Sequence, residues 1–66
     1  MKMHYDPEVD ALFIQLRDTE PAGSFDYEDG VTGIVDDRGH IIAIEILDAG
    51  ERLDREDAEA LFAKAG

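Results

Sequence analysis

Up to position 47 the chain mostly alternates apolar with polar residues, and beyond it the apolar spacing changes to three and four. The first pattern is that of strands with one face turned inward, the second that of a helix. Met1, Met3 and Tyr5 alternate with Lys2 and His4, which predicts a first strand over 1–5. Asp6-Pro7-Glu8-Val9-Asp10 reads as a turn: Pro7 fixes its own φ, and the Asp6 carboxylate can accept a backbone N–H beyond it. Ala11 to Leu16 then predicts a second strand, with Leu12, Ile14 and Leu16 on one face and Ala11, Phe13 and Gln15 on the other. So short a connection makes the pair an antiparallel hairpin.

Residues 17–23 are polar and carry Pro21 and Gly23, a loop. Phe25 and Tyr27 alternate with polar neighbours over 24–29, as in an edge strand, and Gly30 marks a bend or bulge before a further strand over 31–36. Asp37-Arg38-Gly39 is a hairpin loop in which Gly39 can take the positive φ required. The stretch 40–47 is apolar on both sides, with Ile42, Ile44 and Ile46 against Ile41, Ala43, Glu45 and Leu47, which predicts a central strand. Residues 48–53 read as the way out of the sheet. Asp54 is placed to cap a final helix over 54–65, whose apolar stripe is Ala58, Leu61, Phe62 and Ala65.

These elements predict an α+β fold over 1–66: a small antiparallel sheet over 1–47, made of a hairpin and a meander, with one amphipathic helix over 54–65 packed on one face. A helix of about eleven residues is roughly 16 Å long and spans about three strands. The covered face is expected to carry Leu12, Ile14, Leu16, Ile42, Ile44 and Ile46. The opposite face then presents Ala11, Phe13, Val31, Val35, Ile41, Ala43 and Leu47, and one helix cannot cover both. An apolar patch left in water is a liability, so a second chain is expected on it, a two-fold homodimer being favoured. The candidate interface is Phe13, Val35, Ile41, Ala43 and Leu47.

Size points the same way. A chain of 66 residues has a thin stability margin and usually needs disulfides, a metal or self-association. Cysteine is absent, which excludes disulfides and thiolate zinc sites and fits a reducing compartment. The N-terminal stretch shows no apolar run of export-signal or membrane-span length, so the expected location is the cytoplasm. Seventeen acids against six scattered bases give a formal charge of −11. Phosphate backbones and anionic membranes would repel such a surface, and no nucleic-acid or membrane partner is expected. A basic protein would be attracted, although acidity also serves solubility alone.

The chemistry-bearing residues are sparse. Ser24, Thr19, Thr32 and the lysines lie in no nucleophile motif, and no phosphate loop or dinucleotide fingerprint is present, so neither a catalytic centre nor a cofactor is expected. Asp6-x-Glu8-x-Asp10 fails as a calcium loop, because Ala11 and Arg17 stand where glycine and glutamate are needed. His4 and His40 would have to meet across adjacent strands to hold zinc with an acid; as solvent-facing strand residues they require no metal. Glu45 interrupts an otherwise apolar strand and is the candidate functional acid. Buried, it would accept a proton or pair with a base across an interface; exposed, it is a surface carboxylate.

The opening MKMHYDPEVDALFIQL and the later IIAIEILDAG resemble the short prokaryotic proteins grouped as domain of unknown function 2283, from Lys2 to about Leu53. Phe13, Ala43 and Gly50 depart from the residues common there (tyrosine, glycine and serine) without disturbing the alternation. The resemblance implies the same β-rich small domain and carries no catalytic content, since members of the family lack an assigned activity. Members of such families are sometimes encoded beside small toxin-like proteins, which brings an antitoxin-like role into view as an association rather than a mechanism. The expectation is therefore a non-enzymatic module that binds a protein, a basic one or its own copy. The alternative is a small ligand-binding or enzymatic domain using Glu45, His4 or His40 at a subunit interface.

Overall fold

The computed structural model describes residues 1–65, with the side chains of residues 62, 64 and 65 outside the description. Five strands form one antiparallel sheet: β1 (Lys2–Asp6), β2 (Ala11–Gln15), β3 (Gly23–Glu28), β4 (Val31–Val35) and β5 (Ile41–Leu47). The spatial order is β1-β2-β5-β4-β3, so the apolar β5 is the middle strand, as its two-sided pattern predicts. Two helices follow, α1 (Ala49–Arg52) and α2 (Arg55–Ala65). The α+β architecture is the expected one, except that the connection over 48–53 contains the helical turn α1.

Register decides which residues share a face. Leu12 pairs with Ile46 and Ile14 with Ile44, while Val31 and Gly33 oppose Ile46 and Ile44 from β4. These residues, with Met3 and Tyr5 of β1, make one face. The helix α2 packs chiefly against β1, where Met3 and Tyr5 are half-buried while Lys2 and His4 on the reverse are exposed. The helix therefore lies on the Leu12 side, where Leu12 is fully buried and Ala58 of α2 is 5 % exposed. Of the predicted stripe, Leu61 is half-buried, and Phe62 and Ala65 lie outside the described side chains. Asp54 caps α2 as expected, its carboxylate accepting the Glu56 N–H at 3.0 Å.

The helix does not cover three strands evenly. At the far end of the same face the rings of Phe25 and Tyr27, packed edge to face at 4.7 Å, lie over Gly33. A Cβ there would come within 3.0 Å of the Phe25 ring, so the missing side chain gives the two rings their seat. A shift in register between Asp26 and Glu28 breaks the pairing beside Tyr27, and Gly30 turns the chain at φ 89°.

Three expectations are corrected. Val31 sits opposite Ile46 and so belongs to the helix side, not to the face of Phe13; Ile34, paired with Ala43, is the β4 residue beside Phe13's row. Leu16 lies beyond the end of β2 and is 41 % exposed, its N–H given to the Ile42 carbonyl. His4 is exposed on β1 as expected, but His40, also exposed, lies in the turn before β5 rather than in a strand, and β2 separates β1 from β5.

Candidate functional site

The face away from α2 is assembled from the alternate residues of all five strands. One row of directly opposed residues runs His4, Phe13, Glu45, Thr32 and Asp26 across β1, β2, β5, β4 and β3. The next row runs Lys2, Gln15, Ala43, Ile34 and Ser24. A third, shorter row joins Asp6, Ala11 and Leu47. The rows concentrate apolar groups on the three middle strands and polar groups on the two edges.

Exposure follows that division. Phe13, Ile34 and Ala11 are half-buried by their neighbours alone, Leu47 is 43 % exposed, and Ala43 is a methyl group sunk between Gln15 and Ile34. Glu45 is half-buried between Phe13 and Thr32. At the edges Lys2 and His4 are exposed on β1, and Ser24 and Asp26 are exposed on β3. Asp26 accepts a hydrogen bond from Thr32 Oγ1 at 3.1 Å, which fixes that carboxylate on this face. Of the candidate interface, Phe13, Ala43 and Leu47 share this face with Glu45. Val35 does not share it: paired with Gly23 in the register that sets Phe25 on Gly33, it lies on the helix side, and Ile41 opposes it beyond a shift in register on β5.

Elsewhere the acids serve the scaffold. Asp6 accepts the Glu8 N–H within the first turn at 3.0 Å. Asp10, at φ 54°, accepts the Tyr5 hydroxyl at 2.6 Å and the Gly50 N–H on both carboxylate oxygens, at 3.0 and 3.1 Å. It thus caps α1 from forty residues away, while Asp48 makes no side-chain cap. The hydrogen bond to Asp10, with burial and the nearby acids adding to it, pushes the Tyr5 hydroxyl above its ordinary pKa. Asp36, 8 % exposed, accepts the N–H groups of Arg38 and His40 at 2.9 Å each, and the guanidinium of Arg17 approaches it to 3.7 Å. The His40 N–H above all, then that of Arg38 and the charges of His40 and Arg17, outweigh burial and hold its carboxyl below the usual range.

Arg52 was not legible as a structural residue in the sequence. Its guanidinium donates to the Leu47 carbonyl at 2.8 Å, to Glu28 at 2.9 Å and to the Asp29 carbonyl, lying against Gly30. It ties α1 to the β3–β4 turn.

Among the described residues no group of three or more histidines or acids is placed to hold a metal ion, and none of their helices is long and apolar enough to cross a membrane. A hollow of about 300 Å³ is lined by Thr19, Glu20, Pro21, Ala22 and Asp37. A family model described as "Protein of unknown function (DUF2283)" matches residues 2–49, the whole sheet and the start of α1. No curated protein and no solved structure matches the chain.

Proposed function

This chain belongs to the family of proteins of unknown function DUF2283, and we propose that it is a non-enzymatic association module whose working surface is the sheet face of Phe13. The observation that supports this reading is the uneven covering of the sheet. The Leu12 face has α2 at one end and two aromatic rings at the other, whereas among the described residues no helix covers the reverse face.

The uncovered face has the composition of a binding surface: an apolar middle formed by Phe13, Ala43, Ile34 and Leu47, with a polar rim of Lys2, His4, Ser24 and Asp26. The half-buried aromatic Phe13 is its natural anchor. Glu45, inside the apolar middle, charges a partner's approach and so selects among partners.

The test is Phe13→Asp. The chain should remain folded by circular dichroism while losing its association, with itself in sedimentation or with any protein it retains in a pull-down from its own cells. A folded Phe13→Asp chain that associates as the wild type does would overturn the reading.

A further inference from the structure

Building on the association reading, we infer that the occupant of the Phe13 face is a second copy of this chain, stacked about a two-fold axis that runs parallel to the strands. The sheet is symmetric about its middle: β5 has two strands on either side. A two-fold axis along β5, midway between facing sheets, therefore lays β5 on β5, β2 on the partner's β4, and β1 on the partner's β3. Facing sheets pack about 10 Å apart with their strands within about 30°.

The charges at the two edges choose this axis. On the uncovered face β1 carries Lys2, His4 and, at its end, Asp6, whose carboxylate is held in the first turn by the Glu8 N–H, and β3 carries Ser24 and Asp26. The parallel axis brings the Lys2 and His4 edge over the Asp26 edge twice, once at each side of the dimer. A two-fold axis running across the strands would instead lay β3 on β3 and bring Asp26 against its own copy. Phe13 meets Thr32 and Ile34 of the second copy in the parallel arrangement, apolar against apolar in the middle. Glu45 lies on the central strand, close to the axis, and faces its own copy, a like-charge contact that holds the affinity down.

The face measures roughly 24 by 17 Å, about 400 Å², from strand spacing and rise. A standard interface buries about 800 Å² per partner, so the dimer belongs with weak, concentration-dependent complexes.

Sedimentation velocity from about 10 to 500 µM at about 0.15 M salt tests the assignment with Lys2→Glu, Asp26→Lys, the double variant and Glu45→Gln, each checked for folding by circular dichroism. Each edge variant should weaken dimerisation roughly three- to tenfold, since every change is made twice. The double variant should return to within about twofold of the wild type, and Glu45→Gln should tighten it about tenfold. Lys2→Glu and Asp26→Lys shift the net charge in opposite directions, so mere relief of overall repulsion would move them oppositely. Opposite shifts, or a double variant that does not recover, would overturn the axis while leaving association through Phe13 standing. Wild type and Glu45→Gln both monomeric at 500 µM would overturn the second copy as occupant. A different protein whose retention is lost in Phe13→Asp would then be the partner, and the association reading would survive on that result.

Discussion

Leu12 and Phe13 are neighbours in the chain, as are Ile44 and Glu45, yet they lie in different surroundings. Leu12 is fully buried and Ile44 lies on its face, the side on which α2 packs at β1 and the two β3 rings lie over Gly33. Phe13 and Glu45 are half-buried on a face covered by no helix. One face is completed by the chain itself: a helix tied back at Asp54, a turn of helix capped by Asp10, and a glycine that seats Phe25 and Tyr27. The other has apolar residues at its centre and, among the described residues, no helix laid over them. The difference separates residues whose loss should unfold the chain from residues whose loss should only isolate it.

The largest effect should come from breaking the completed face. Leu12→Ala leaves a cavity between Tyr5 and Ile46 on the helix side of the sheet, and such losses cost about 2–5 kcal/mol. A domain of this size has a total stability of roughly 3–10 kcal/mol, so urea unfolding should show most of it gone. Phe13→Ala, one residue along, should cost dilute protein about 1 kcal/mol or less, because its ring is already half in water. Equal losses at both positions would mean that the two faces are equally part of the core, and the contrast would fail.

A smaller effect should follow at the far end of the same face. Gly33→Ala puts a methyl group 3.0 Å from Phe25 and 3.1 Å from Tyr27. Both rings are on an edge strand and can move outward, so the cost should fall near the low end of overpacking, about 1 kcal/mol. The near-ultraviolet dichroism of Tyr27 should change with it. An unchanged spectrum and stability would mean that the rings do not close that end of the face.

Much of this division is legible in the sequence, because it depends on alternation. Leu12, Ile14, Ile44 and Ile46 fall on one face and Phe13, Ala43 and Leu47 on the other, as a period of two requires. The strand limits and the Asp54 cap follow from local chemistry as well. What alternation cannot give is which way a strand is turned once glycines and bulges intervene. Val31 follows the turn at Gly30 and the bulge beside Tyr27, so its face was settled by pairing with Ile46 rather than by its own neighbours. The long-range ties were equally hidden. Asp10 reads as a turn residue, and nothing local to it announces that Gly50 will bind its carboxylate. Arg52 reads as one scattered base among six, although three acceptors converge on it. The candidate face itself was visible as a list of apolar positions; its charged edges, Lys2 and His4 against Asp26, became visible only with the strand order.

The smallest effect concerns the end of the sheet, where the shift in register at Ile34 and Val35 interrupts both faces. Asp36 holds the turn just beyond it, and its carboxyl is held below the usual range chiefly by the His40 N–H. An unfolded aspartate titrates near about 3.9. Because the folded value is lower, the ionised carboxylate stabilises the fold above that pH, and the contribution is lost as pH falls through the folded value. Asp36→Asn keeps an oxygen for the Arg38 and His40 N–H groups but removes the charge that faces Arg17. The variant should therefore be slightly less stable than wild type at pH 7, and the two urea midpoints should converge as the pH falls below the unfolded value and through the lower folded one. Because the turn serves both faces, the loss at pH 7 should be the same in dilute and in concentrated protein, unlike any effect at Phe13. A gap between variant and wild type that stays constant from pH 7 to 2.5 would show that the turn relies on the shape of the Asp36 side chain and not on its charge.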